Sequence, residues 1–472
     1  MTTLDQVEIG PLRPERFEEI LSKDAYAGFS KVIEGARSLL AGRAVWNLNS
    51  TARGGGVAEM LASLLAYARG AGVDARWAVI EGAPEFFAVT KRIHNNLHGA
   101  PGDGGDLGDA ERAVYEDILQ ANAERLIKAV KPDDIVVLHD PQTAGLAAPL
   151  KEMGVPVMWR CHVGLDVPND IARRAWNFLR RYVEPADIYI FSRPAFAWEG
   201  LEDDRIVVIP PSIDAFSPKN QQLSSETVAA ILSVTEMFKA PGGDPLYVRV
   251  DGRPDVVERK TEMFGAPPPS IEVPVVVQVS RWDRLKDPLG VMEGFVRYVA
   301  PHTDAHLILA GPAVAAVADD PEGIEVLEEA RAAWSELDPN VRERVHLACM
   351  PMDDGQENAA IVNALQRRAD VIVQKSLAEG FGLTVAEGMW KGRPVVASRI
   401  GGIQDQIEHG ESGILLDDPS DLEAFGTEVV ALLADPEAAE KIGRTAYARV
   451  RDHYLGPRHL TQYFELIKRL LP

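Results

Sequence analysis

Two successive series of short apolar strands alternating with helical stretches constrain this chain more than any other feature. The first runs through 43–49, 75–80, 135–139, 155–159, 188–191 and 206–209, separated by helical patterns such as 110–130 and 170–183. A near-continuous apolar run is what a strand buried on both faces looks like, and repeated strand–helix–strand alternation is the pattern of a parallel sheet, whose neighbouring strands need a crossover connection. The series restarts at 275–279, 305–310, 345–348, 371–373, 394–397 and 413–416. At 472 residues the chain exceeds one ordinary domain, so the expected class is α/β with two doubly wound parallel sheets, each with its own core.

Prolines place the expected boundaries. Pro210, Pro211 and Pro218 can neither extend a sheet ladder nor sit inside a helix, which closes a first domain at 1–218. Residues 219–270, with their Pro-Gly-Gly-Asp and Pro-Pro-Pro stretches, read as a connector with some structure of its own. A second domain spans 271–452. The final segment, 453–472, carries an amphipathic helix over 457–471 whose Leu460, Tyr463, Phe464 and Ile467 need a surface to cover. There is no fixed-period repeat and no low-complexity segment.

Charge and cysteine usage exclude several classes. A formal net charge of −22 would repel a phosphate polymer over most of the surface, so no nucleic-acid partner is expected. No apolar run is long enough to cross a bilayer and no secretory signal opens the chain, so no membrane partner and a cytoplasmic location are expected. Two cysteines, Cys161 and Cys349, are too few for a disulfide framework and wrongly spaced for a zinc ribbon.

The richest stretch for chemistry is QKSLAEGFGLTVAEGMWKG, residues 374–392. Glu379 precedes Gly380-Phe381-Gly382, and Leu383 and Thr384 start a helix that carries Glu387. Glycines admit a ligand close to the backbone, and the free amides of a helix start favour phosphate; the same glycines would also serve a plain strand-to-helix turn. Strand, glycine loop and helix recur at 43–68, where Gly54, Gly55 and Gly56 point to close ligand approach. That loop lacks the Lys-Ser/Thr of a nucleotide-hydrolase P-loop and the spacing of a dinucleotide fingerprint. After the first strand of the second series, Arg281 and Lys286 put two cations where a diphosphate would sit, or else form a solvated basic turn. His139, Asp140 and His162 follow strand ends in the first series, although a histidine there is more often a cap or packing residue.

Taken in order, Arg281 and Lys286, Gly311-Pro312, Glu379 through Glu387, and Gly401-Gly402-Ile403 resemble retaining GT-B glycosyltransferases of the glycogen- and sucrose-synthase superfamily. The N-terminal stretches TARGGGVAEML, RIHNNLHG, LHDPQTAGL and WRCHVGLD resemble the trehalose glycosyltransferring synthases. The resemblance implies two Rossmann-like domains, acceptor-binding then donor-binding, with a cleft between them and the last helix crossing back to the first. It implies a retaining transfer of glucose from a nucleoside diphosphate glucose to glucose, forming α,α-trehalose. A trehalose phosphorylase, or a transferase with another acceptor, is the alternative. Arg281 and Lys286 match the diphosphate-binding pair and Glu387 the carboxylate on the ribose. Glu379 matches the carboxylate beside the donor sugar, and the amides of Gly382, Leu383 and Thr384 would cap the diphosphate. Met350 matches the base-binding turn, His162 the histidine facing the donor sugar, and Gly56 the loop near the phosphates. His94, Asn95, His139 and Asp140 read as acceptor contacts rather than as a metal site. No tightly bound cofactor is expected; Mg²⁺ carried by the nucleotide and a homodimer remain open.

Overall fold

The computed structural model describes residues 4–52, 55–265, 267–313 and 321–471. The chain divides into two compact units, Met1–Ser212 with Tyr454–Pro472, and Ile213–His453.

In the first unit the strands are β1 (Asp5–Val7), β2 (Ala44–Asn49), β3 (Asp74–Val79), β4 (Ile135–His139), β5 (Val157–Cys161), β6 (Ile188–Phe191) and β7 (Ile206–Val208). They form one sheet in the order β1-β3-β2-β4-β5-β6-β7, parallel except for the edge pair β1–β3. Every residue of β2, β4, β5 and β6 is buried, because helices cover both faces. Side chains alternate between those faces. Trp46, Leu48, Leu138 and Trp159 pack with Leu119, Ala123, Phe178 and Leu179 of helices Asp109–Ala129 and Asp170–Val183. Val45, Val137, Met158 and Ile190 face the other way and meet Leu466 and Ile467 of helix Gly456–Leu470. Burying those two aliphatic side chains contributes about 1.5–3 kcal/mol each.

A polar cluster joins the same helix to the sheet. Fully buried Arg160 of β5 donates to His459 Nε2 at 2.8 Å, to the Tyr463 hydroxyl at 2.9 Å and to the Ile209 carbonyl at 3.0 Å. Because Nε2 accepts from a guanidinium, the His459 proton sits on Nδ1, 2.8 Å from the Ser212 hydroxyl.

The second unit holds a hairpin of β8 (Leu246–Val248) and β9 (Pro254–Val256) and a sheet of β10 (Glu262–Phe264), β11 (Val275–Val279), β12 (His306–Pro312), β13 (Val345–Met350), β14 (Val371–Gln374), β15 (Val395–Ser398) and β16 (Ile414–Leu416). Its order is β10-β13-β12-β11-β14-β15-β16, parallel apart from the edge pair β10–β13. The winding reverses between β11 and β14, and in such sheets ligands bind beyond the carboxyl ends of the strands at the reversal.

Residues 219–270, read from composition as a connector, lie within the second unit, which begins at Ile213 rather than after Pro218. Side chains of two helices hold their start: Asn363 donates to the carbonyls of Pro218 and Gln221 at 3.0 and 2.9 Å, and Trp390 Nε1 to that of Asn220 at 2.9 Å. Further on, β10 extends the sheet itself.

Candidate functional site

The loops after β11 and β14 meet at the reversal. Leu377 N–H donates to the Leu285 carbonyl at 2.7 Å, and Gln374 Nε2 to the Val279 carbonyl at 2.7 Å. Gln278 Nε2 donates to the Lys286 carbonyl at 2.7 Å. These bonds bring Lys286 Nζ to 2.5 Å from Glu379 Oε2, with 18% and 15% of the two side chains exposed. Arg281 is 65% exposed and reaches Asp283 at 3.0 Å. The loop's last residue, Asp287, sits in the left-handed region at φ 52° and caps the next helix by accepting from Gly290 N–H at 3.0 Å. Its other carboxylate oxygen pairs with the ammonium of Lys375, a residue fully buried.

Past Glu379 the chain turns through Gly380 and Phe381 to Gly382 (φ 81°), which starts helix Leu383–Trp390. No side chain caps this start, so the amides of Gly382, Leu383 and Thr384 form the open, positive end of the helix. Gly402 N–H donates to the Gly380 carbonyl at 2.9 Å, and Gln406 Nε2 to that of Phe381 at 2.5 Å. Gly401, at φ 47°, lies so close that a Cβ there would come within 1.9 Å of the Glu379 carbonyl oxygen. Gly401→Ala is therefore expected to cost about 1–3 kcal/mol and to displace Glu379. Urea unfolding with an unchanged midpoint would contradict this.

One turn into the helix, Glu387 is 2% exposed, and Lys219 Nζ stands 3.5 Å from its Oε1. Met350 ends β13 opposite Pro312, and its carbonyl accepts Ala313 N–H at 2.8 Å. Trp282 Nε1 donates to the Pro312 carbonyl at 3.0 Å, its ring packed where any side chain at Gly311 would stand. Arg281, Lys286, Met350, Gly311 and Glu379 thus all lie at the carboxyl-end edge of one sheet.

In the first unit β4 and β5 lie side by side, and this brings His139, Asp140 and His162 together. The two imidazoles stack with centroids 5.4 Å apart and 16° between planes, His139 Nδ1 lying 3.1 Å from His162 Nε2. His139 Nε2 is 3.0 Å from Asn47 Oδ1 on β2. Asp140 occupies a left-handed turn at φ 63° and accepts the His162 backbone N–H at 2.8 Å. His94 and Asn95 stand instead in the last turn of helix Pro84–Leu97, where His94 packs edge-on against His98 and the Asn95 carbonyl accepts Ala100 N–H at 3.0 Å. Gly56 is the exposed second residue of helix Gly55–Gly70, and Gly54 lies outside the described residues.

Burial, then the Arg160 charge, pushes His139 down to about 3; the same two causes hold His162 well below 6.5. His459 is lowered likewise, while burial raises Asp140 to about 7. A histidine kept neutral by the fold protonates first in the unfolded chain, so its share of stability is whole above pH 6.5 and is lost as pH falls toward the folded value. Asp140 runs the other way, its share fading as pH rises from 3.8 to about 7. With these three histidines, and with His306 and His346 of the second unit also lowered by burial, against one carboxyl, stability should fall on acidification from pH 6.5 to 4, by about 1.4 kcal/mol per unit for each net proton. Urea unfolding across that range gives the slope, and a flat or rising profile at lower pH would contradict it.

Asn47, Lys219, Asp287 and Lys375 were not singled out in the sequence. A polar Asn47 inside the buried strand AVWNLN, and a lysine directly after an apolar strand at 375, were the available signals. Among the described residues, no group of three or more His, Cys, Asp or Glu side chains could hold a metal ion, and no helix is long and apolar enough to cross a membrane.

Residues 260–449 match the family model for glycosyl transferases group 1, and residues 47–198 that for the trehalose synthase N-terminal domain. Among solved structures, an α,α-trehalose 6-phosphate synthase from Burkholderia multivorans shares the fold with a TM-score of 0.65 at 16% identity, over 90% of this chain and 96% of that one. Two doubly wound sheets with this match define a glycosyltransferase of the GT-B fold. The trehalose synthase of Pyrococcus horikoshii is 34% identical over 470 residues, covering 100% of this chain and 99% of that protein. That of Rubrobacter xylanophilus is 34% identical over 471 residues, covering 99% of each. The chain belongs to the trehalose synthase family.

Proposed function

We propose that the protein is a retaining glucosyltransferase that moves glucose from a nucleoside diphosphate glucose to free glucose and forms α,α-trehalose. The observation that carries the reading is the Lys286–Glu379 pair at 2.5 Å, set between the two loops at the winding reversal and one turn from an uncapped helix start. Departure of a nucleoside diphosphate leaves positive character on the sugar and negative charge on phosphate. Lys286, Arg281 and the amides of Gly382, Leu383 and Thr384 oppose the second. Glu379 already shares its charge with Lys286, which favours positioning and electrostatic support over attack as a nucleophile. The acceptor's hydroxyl oxygen then attacks C1 on the face the diphosphate leaves; the C1–O bond to phosphate breaks, and the hydroxyl proton passes to the departing phosphate oxygen.

Glu387 takes the ribose hydroxyls in this reading, with Lys219 holding its carboxylate until the nucleotide arrives, and Met350 borders the base. Asp140 and His162 are assigned to sugar hydroxyls, as are His94 and Asn95 more remotely, while His139, buried with both ring nitrogens engaged, supports His162 from behind. The carboxylates Glu379, Glu387 and Asp283 each face a cation, so any Mg²⁺ would come with the nucleotide's own phosphates. Incubation of trehalose with orthophosphate alone separates this reading from a phosphorylase: no glucose phosphate is expected, and its formation would favour the phosphorylase.

A further inference from the structure

We propose that His139 locks His162 in one tautomer, Nε2 protonated and Nδ1 bare, so that His162 meets a sugar hydroxyl only as a hydrogen-bond acceptor. The sugar contact rests on the function proposed above; the tautomer does not.

The lock follows from a line of three polar groups across β2, β4 and β5. Asn47 stands on β2, which pairs with β4, and β4 pairs with β5 with His139 opposite Arg160, two residues before His162. His139 is 1% exposed and has one neighbour at each ring nitrogen. An amide oxygen can only accept, so the Asn47 Oδ1 contact at 3.0 Å puts the single proton of neutral His139 on Nε2. His139 Nδ1 then carries a lone pair. It lies 3.1 Å from His162 Nε2, and two lone pairs facing each other at that distance would repel, so His162 Nε2 must carry the proton. A second proton on either ring is opposed by burial and by the neighbouring guanidinium of Arg160. Nδ1 of His162 is left without a hydrogen-bond partner among the described residues.

The frame around the ring is fixed independently. The His162 backbone N–H donates to Asp140 at 2.8 Å, and the Asp140 carbonyl accepts Trp159 Nε1 at 3.1 Å. A ring held in place with a bare Nδ1 accepts from a hydroxyl and rejects an ether or a fluorine at the same sugar carbon, since neither has a proton to give. His139 acts here as a positioning residue, through His162.

Nitrogen-15 NMR of the full-length protein labelled in histidine, recorded near pH 7 with long-range proton correlation, reads the tautomer directly. The expected spectrum shows His162 with a protonated Nε2 and an unprotonated Nδ1. His139→Leu is expected to convert it to a mixture of tautomers in exchange. His139→Asn, whose amide oxygen can stand near the lost Nδ1, is expected to keep the single form. A protonated Nδ1 in the wild type would overturn the proposal, because the line would then run from the Asn47 amide nitrogen outward. An unchanged single tautomer in His139→Leu would overturn it as well, and so would a mixture in His139→Asn. Should His139→Leu not fold, the wild-type spectrum decides alone. None of these readings depends on turnover, so absence of disaccharide synthesis would count against the proposed function and leave the tautomer standing.

Discussion

Lys286→Ala is expected to lower turnover by about a hundredfold or more, the scale on which an enzyme loses a donor aimed at developing charge. The expected loss comes from two sources. The ammonium no longer opposes the departing diphosphate, and Glu379, 2.5 Å away in the folded protein, loses the cation that holds its carboxylate. Arg281→Ala separates them, because Arg281 reaches Asp283 and is 65% exposed, so its removal takes away charge with little effect on packing. It should cut turnover on a similar scale with an unfolding midpoint near that of the wild type. Steady-state kinetics with saturating donor checks both variants, and near-normal rates in the two would remove the leaving-group assignment.

Lys375→Met is expected to cost about 3–5 kcal/mol of stability, the largest single effect foreseen in the fold. Breaking a buried ion pair by deleting one partner leaves the other charge uncompensated. Here only 1% of the Lys375 side chain and 18% of the Asp287 side chain are exposed. The remaining carboxylate would also have to stay in a left-handed turn at φ 52°. Asn tolerates that conformation and caps a helix as well as Asp does. The double variant Lys375→Met with Asp287→Asn should therefore recover most of the loss. Urea unfolding of the single and double variants gives both numbers, and a single variant within 1 kcal/mol of wild type, on the order of an exposed pair, would show that the pair carries little. Because Asp287 follows Lys286 directly, the single variant should also weaken donor binding.

The parallel strands were legible because a strand covered on both faces is mostly apolar, as β2, β4 and β11 are apart from Asn47, Asn49, His139 and Gln278. The two antiparallel edge strands were not, since β1 and β10 are three residues long and bury little. The allegiance of 213–270 was hidden for a different reason: it is decided by side chains such as Asn363 and Trp390, bonded to backbone about 145 and 170 positions away. At the site, motif order named Lys286 and Glu379, yet only the adjacency of β11 and β14 makes them neighbours across 93 positions. Lys375 and Asp287 pair through that same adjacency and carry no local motif, which is why they went unmarked. His139 and His162 lie 23 positions apart with no motif linking them, and only the register of β4 on β5 stacks them into one pair.

The most direct measurement of the central claim is NMR analysis of the product formed from glucose and a nucleoside diphosphate α-glucose labelled with carbon-13 at C1, taking ADP-, UDP- and GDP-glucose in turn. The account predicts a nonreducing disaccharide with both anomeric carbons α, the label on one of them, and one nucleoside diphosphate released per disaccharide. A reducing disaccharide, a β linkage at the labelled carbon, or no disaccharide from any of the three donors with folded protein would contradict it.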